Sequence, residues 1–351
     1  MSIEVIAAGC TFPAGPSLTL ADIAIRTQLA LIRNHPTYLD RHGIPAKVSC
    51  FPQHELSFEI NRWQVMADQA LQDALRHITA YAGLPTRLWI ILPPAQKPGI
   101  PLLLEDALKI SLMVRLPECK DVIVLRGSHA EAGNALIQIE EKQRQDTTFT
   151  LDIIVAVESW LAHESMAWLE EQDLLHNSHH LYNATVRRNP YGRIPGEGAA
   201  VVILAKESKI TGWSTLSGAA CEKERVLRED QQPCLGFGLT QAARRAISAA
   251  GEPVISHIVT DFNGESYRAD EYGFTVSRLQ HALRDDFMRC VPVLASGDIG
   301  CASLVMHMAQ TAWRFKQTVA AEEKNTVLIL SSSDDNERCA VVMSQINQGR
   351  K

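Results

Sequence analysis

Two strand pairs, one in the middle of the chain and one near its C-terminus, constrain the fold more than any other feature. Residues 151–159 (LDIIVAVES) form a continuous apolar run, and 197–205 (EGAAVVILA) follow after an intervening segment. Residues 326–333 (TVLILSSS) and 338–344 (RCAVVMS) echo that order. Each pair closes a series of alternating strand and helix patterns, so the chain reads as two quasi-repeated halves, 1–208 and 209–351. The first half carries an insertion at about 160–195.

The order of elements within each half follows from periodicity. In the first half, a strand at 3–8 leads through a Pro and Gly turn to an amphipathic helix at 17–33. Asn61 is placed to cap a helix carrying Trp63, Met66, Ala67, Ala70, Leu71 and Ala74 on one face. A strand at 88–94, a helix at 102–113, a strand at 121–127 and a helix at 129–142 come next. In the second half the series is strand 213–220, helix 239–250, strand 255–262, helix 269–284, strand 291–295 (VPVLA) and helix 301–315. Apolar strands alternating with helices imply a mainly parallel sheet covered on both faces, and the short SSSDDNE link implies an antiparallel final pair. The expected fold is α/β, a five-layer αβαβα sandwich of two stacked halves.

Composition excludes several function classes. A net charge of -6 without a long basic run argues against nucleic acid. No stretch approaches the roughly 20 apolar residues of a membrane span, and the first residues carry no basic leader, so a cytoplasmic protein is expected. Eight cysteines without CxxC pairing fit neither a zinc ribbon nor a disulfide scaffold, and no metal or cofactor is expected.

The segment NPYGRIPGEGAAVVILAK (189–206) resembles the β-ketoacyl synthase segment in which a glycine- and acid-bearing turn enters a strand. The implied fold is that of the thiolase superfamily. The resemblance implies a nucleophilic cysteine between the third strand and third helix of the first half, where this chain reads VIVLRGSHAEAGNALI. Aligning Gly133 with the family's helix glycine puts Leu125 or Arg126 at that position. The family's two histidines fall at Asn263, in VTDFNGES, and Asp298, in ASGDIGCAS; the lysine before the second falls at Val293. Catalysis of the family's condensation is therefore not expected.

Other residues near these loops have functional and plain readings. Ser128 and His129 offer a serine and imidazole pair, but a helix-capping Ser128 is the expected role, because neighbours on a helix do not face each other. Cys301 is a candidate reactive thiol at a helix start, against simple packing among small residues. Asp261, Asn263, Glu265 and Asp298 sit at strand ends, where open sheets bind ligands, and form a candidate polar pocket. His176, His179 and His180 read as a solvated loop rather than a metal site. Glu197 reads as structural, accepting local amides.

What the resemblance implies for function is a non-catalytic binding or adaptor protein, of the kind accessory to bacterial type VI secretion effectors. A chain-length-factor-like partner of an active ketosynthase is the alternative, and a divergent 3-oxoacyl-ACP synthase or acyltransferase using Ser128 or Cys301 is the third. A protein partner is expected in the first two, with pairing, self or otherwise, through the strand at 121–126.

Overall fold

The computed structural model describes residues 3–52, 59–78, 83–146, 148–177, 189–206, 212–230, 232–318 and 325–346. The first strand, β1 (Ile3–Thr11), is buried at every position, as expected of a strand covered on both faces. It is followed by α1 (Leu18–Thr27), the hairpin β2 (Ile32–Leu39) and β3 (Pro45–Ser49), and α2 (Ile60–Leu75). Then come β4 (Thr86–Leu92), α3 (Leu104–Arg115), β5 (Cys119–Arg126), α4 (Glu131–Gln145) and β6 (Leu151–Ser159). The half closes with α5 (His163–Glu171) and β7 (Glu197–Lys206).

The second half runs β8 (Ser214–Lys223), α6 (Phe237–Ala249), β9 (Ile255–Thr260), α7 (Ser266–Leu279) and β10 (Leu283–Cys290). It ends with α8 (Val293–Ser296), α9 (Ser303–Gln317), β11 (Thr326–Ser332) and β12 (Glu337–Gln345). The strand order is β10-β9-β11-β12-β8-β1-β7-β6-β4-β5, so that each half, read outward from β1 or β8, repeats the same pattern. The pairs β6–β7 and β11–β12 are antiparallel, whereas β4 is parallel to β5 and β6, and β9 to β10 and β11. Three residues of β1 pair with β8, joining the halves into one ten-stranded sheet.

Helices α4 and α9 touch strands of both halves, while α2 covers β1, β6 and β7 from outside and α6 covers β8, β11 and β12. That is the five-layer order. The central position of α9 explains why eleven of its fifteen residues are buried, including polar His307 and Gln310. Gly133 lets α4 approach closely, since a Cβ there would lie 2.3 Å from Cys339 Sγ and 2.7 Å from Cys221 Sγ.

Three expectations need correction. Residues 291–295 are not a strand: Pro292 has no amide proton for a ladder and instead precedes α8. The strand is LRDDFMRC (β10), an edge strand whose charged side chains meet solvent. The helix at 17–33 stops at Thr27, where Gln28 takes a left-handed conformation, and the chain turns into β2. Asn61 lies inside α2, and Glu59 occupies the capping position.

Candidate functional site

The site forms where the ends of β4, β5, β6, β9 and β11 meet the loop before α9. Its first component is the turn between β5 and α4. Gly127, Ser128 and His129 precede the helix, so the angular separation of helical neighbours does not apply to them. Ser128 Oγ lies 2.9 Å from His129 Nδ1, and His129 Nε2 lies 2.8 Å from Asp298 Oδ1. This corrects the capping role expected of Ser128: α4 has no side-chain cap, and the serine pairs with the imidazole.

Asp298 is held by the segment that carries the sequence resemblance. Its amide donates to Ile194 O at 2.8 Å, and its carbonyl accepts the Gly196 amide at 2.9 Å. The side chain accepts Asn263 Nδ2 at 2.8 Å and the Gly300 amide at 2.9 Å. Arg193, fully buried, donates to Glu265 (2.8 Å) and Asp334 (2.7 Å) and stands 3.4 Å from Asp298. Arg268, from α7, donates to Asp334 (3.0 Å) and His129 Nδ1 (3.3 Å) and stands 3.5 Å from Asp261. Asp261 in turn accepts from Ser331 Oγ and the Ser332 amide.

Charges control protonation here. Burial pushes the Asp298 carboxyl up, but His129, Arg193 and Arg268 outweigh it and hold Asp298 far below the usual range. Asp334 is lowered in the same way, by Arg193 first among its charged neighbours. Burial pushes the His129 imidazole down, Asp298 pushes it up, and the net shift is upward.

A cavity of about 220 Å³ opens beside the turn, lined by Ser128, Lys97, Glu158, Trp160, Trp168 and Asp334 among others. Lys97 donates to Glu158 and to Ser159 O, and its ammonium sits 3.4 Å from the Trp160 ring centre. Trp160 and Trp168 stack with centroids 6.1 Å apart. Burial pushes Lys97 down and Glu158 up, each countered by the other.

The structure thus brings together Ser128, Asn263, Glu265 and Asp298, with Asp261 one layer behind through Arg268. It does not bring Leu125 or Arg126 to them. Leu125 lies in β5 against the core, and Arg126 donates to Glu105 at 3.0 Å. The group facing Asp298 from the β5–α4 turn is His129, three or four residues further on. Cys301 is fully buried, donates to Val157 O, and burial next to Glu158 pushes its thiol well up, so it is packed rather than reactive. Glu197 accepts the Phe51 amide at 2.9 Å and pairs with buried Arg62, partners distant in sequence instead of local amides. His176 is half-buried beside Pro190 O; His179 and His180 lie outside the described residues.

Arg193, Arg268, Asp334, Lys97 and Glu158 were not singled out from the sequence. Arg193, within NPYGRIPGEG, Asp334, within SSSDDNE, and Glu158, within LDIIVAVES, stand in segments that the sequence marks.

Glu131, in the first turn of α4, supplies a test of this electrostatic surrounding. Burial, with Glu337 and Asp335 nearby, raises its carboxyl to about 7. A raised acid favours the protonated folded state, so its contribution is lost as pH rises from about 4.5 through about 7. Glu131→Gln is expected to stabilise the protein at pH 8 by about 1–2 kcal/mol after allowance for solvent screening, with the difference vanishing below pH 5. Thermal midpoints of both proteins across pH 5–8 would show it; parallel curves would contradict it.

No family model matches the sequence, and no curated protein matches it. Solved structures do. The ketosynthase from module 6 of the bacillaene synthase of Bacillus subtilis 168 has a TM-score of 0.77 at 12% identity, over 99% of this chain and 72% of that one. A type II polyketide ketosynthase in complex with its acyl-carrier protein has a TM-score of 0.77 at 14% identity, covering 99% of each chain. The ishigamide ketosynthase/chain length factor has 0.72 at 15%, over 99% of this chain and 100% of that one. At these TM-scores over nearly the whole chain, the chain has the thiolase-like fold of the ketosynthases and chain-length factors.

Proposed function

We propose that this chain is a ketosynthase-fold protein that does not form carbon–carbon bonds and works with a protein partner, as a chain-length factor does. The observation that carries the reading is the content of the strand-end site. Thioester condensation in the family that the sequence resembles uses one thiol and two imidazoles. Here the β5–α4 turn presents Ser128 and His129, and the loops after β9 and β10 present Asn263 and Asp298. A carboxylate held ionised by His129, Arg193 and Arg268 cannot donate to a developing enolate oxygen, as an imidazole does.

The partner reading is supported by β5, an edge strand with half-buried Val122, Ile123, Val124 and Leu125. Such an edge pairs readily with another chain. A ketosynthase subunit is the partner we favour, since one structural neighbour is itself a ketosynthase/chain length factor. An effector or adaptor of type VI secretion, and a second copy of this chain, are the other occupants.

The test is incubation with acyl-loaded and malonyl-loaded acyl-carrier protein. No 3-oxoacyl product above the protein-free control is expected, and product formation would refute the reading. Pull-down with a co-expressed ketosynthase subunit, lost on Val124→Pro, would identify the partner and the edge.

A further inference from the structure

The groups around Ser128 form a connected proton path that the proposed partner role does not require. Arg268 can only donate hydrogen bonds and Asp298, held ionised, can only accept them. In the neutral imidazole, the form present above its raised pKa, Arg268 Nη2 3.3 Å from His129 Nδ1 and Asp298 Oδ1 2.8 Å from His129 Nε2 put the ring proton on Nε2 and the lone pair on Nδ1. That lone pair is shared between Arg268 and the nearer Ser128 Oγ, at 2.9 Å. The Asp334 amide donates to the same oxygen at 3.4 Å, leaving the hydroxyl proton to point at Nδ1. The connectivity is serine, imidazole, carboxylate, the arrangement that activates a serine nucleophile, with the two ring nitrogens exchanged relative to its commonest form.

We propose that Ser128, His129 and Asp298 make this protein a serine-dependent acyl hydrolase or acyltransferase acting on an ester or thioester bound in the cavity beside Lys97 and Trp160.

The rest of the cavity fits such a substrate. Trp160 and Trp168 offer an apolar wall for an acyl chain, and its volume of about 220 Å³ suits a short one. The amino end of α4 begins two residues beyond His129, where the helix dipole favours negative charge, while the Lys97 charge in the same cavity is balanced by Glu158. In the first step Ser128 Oγ bonds to the acyl carbon as its proton passes to His129 Nδ1. The tetrahedral centre collapses, the bond to the thiol or alcohol breaks, and the leaving group takes that proton from Nδ1. Water then attacks the acyl-serine, giving one proton to Nδ1 and returning it to Ser128 Oγ as the ester bond breaks, so that the acid is released. An acceptor alcohol or amine takes the place of water in transfer. No redox partner enters.

The activity stands apart from condensation, so either reading can fail alone. The full chain is treated with a fluorophosphonate probe and with p-nitrophenyl butyrate. Stoichiometric labelling of the peptide bearing Ser128 is expected, with ester hydrolysis above the protein-free rate. Ser128→Ala should abolish the label, and His129→Gln should slow both labelling and hydrolysis by at least about 100-fold while circular dichroism stays native. Ser128→Cys keeps a nucleophile and guards against misfolding of the alanine variant: iodoacetamide should alkylate it faster than Cys301. An unlabelled wild-type protein, or labelling that persists in folded Ser128→Ala, would overturn the proposal.

Discussion

Replacing Arg193 by methionine is expected to lower the thermal midpoint by on the order of 10 °C and to shift the urea midpoint correspondingly. The residue has no solvent exposure, and its guanidinium is shared by Glu265, Asp334 and Asp298. Methionine fills much of the same volume, so the loss is chiefly electrostatic. Three carboxylates at 9%, 22% and 1% side-chain exposure would then face one another with, among the described residues, Arg268, the more exposed Arg228 and His129 to balance them. Breaking one partner out of a buried ionic set costs about 3–5 kcal/mol, because the remaining charges stay desolvated and uncompensated. Arg193→Lys should recover part of this, since an ammonium keeps the charge but cannot bridge three acceptors with a planar fork. A methionine variant within about 2 °C of wild type would show that the carboxylates relax into water or take up protons at little cost.

Valine at position 133 is expected to be more disruptive still. Its Cβ would stand 2.3 Å from Cys339 Sγ and 2.7 Å from Cys221 Sγ, on strands β12 and β8, while α4 is fixed on its other side by β4, β5 and β6. A surface helix could slide outward; this one is bounded by sheet on both faces. Overpacking by one methylene group already costs about 1–3 kcal/mol in a dense core, and a branched side chain here requires the two halves to separate. Loss of soluble protein, or a loss of stability above about 3 kcal/mol, is the expected result. Combining Gly133→Ala with Cys339→Ala removes the closest sulfur and should recover part of the alanine variant's loss in chemical denaturation, the Cys221 sulfur at 2.7 Å remaining. Failure of that double variant to improve on Gly133→Ala would locate the constraint elsewhere.

The strands most legible in the sequence are those whose both faces are covered. β6, β7, β11 and β12 are buried almost throughout, so their composition is set by burial and their limits are read within a residue or two. β10 is the pseudo-equivalent of β5 at the other edge, and an edge strand needs no apolar run. Its mixed charged and apolar composition therefore does not stand out, and the neighbouring VPVLA draws attention instead. The β2–β3 hairpin is hidden for the same reason, being mostly polar and exposed along β2.

At the site, Asn263 is legible because it follows β9, and Asp298 through the resemblance of ASGDIGCAS, although VPVLA, the strand expected before it, runs into helix α8 instead. The residue that faces them is not legible. Counting back from Gly133 lands inside β5, whereas the backbone leaves the strand at Arg126 and turns through Ser128 and His129 before the helix begins at Glu131. Whether Ser128 and His129 face each other depends on that turn, which periodicity cannot describe.

What the sequence determined by itself is the order of the buried strands and the helices between them, the twofold repeat and the absence of a thiol at the β5–α4 junction, because these follow from local burial patterns and residue identity. What only the tertiary structure decided is the pairing of charges. Arg193 meets Asp334 across 141 positions and His129 meets Asp298 across 169. Coulomb attraction and hydrogen bonding act over a few ångströms of space with no regard for separation along the chain, so no local pattern records them.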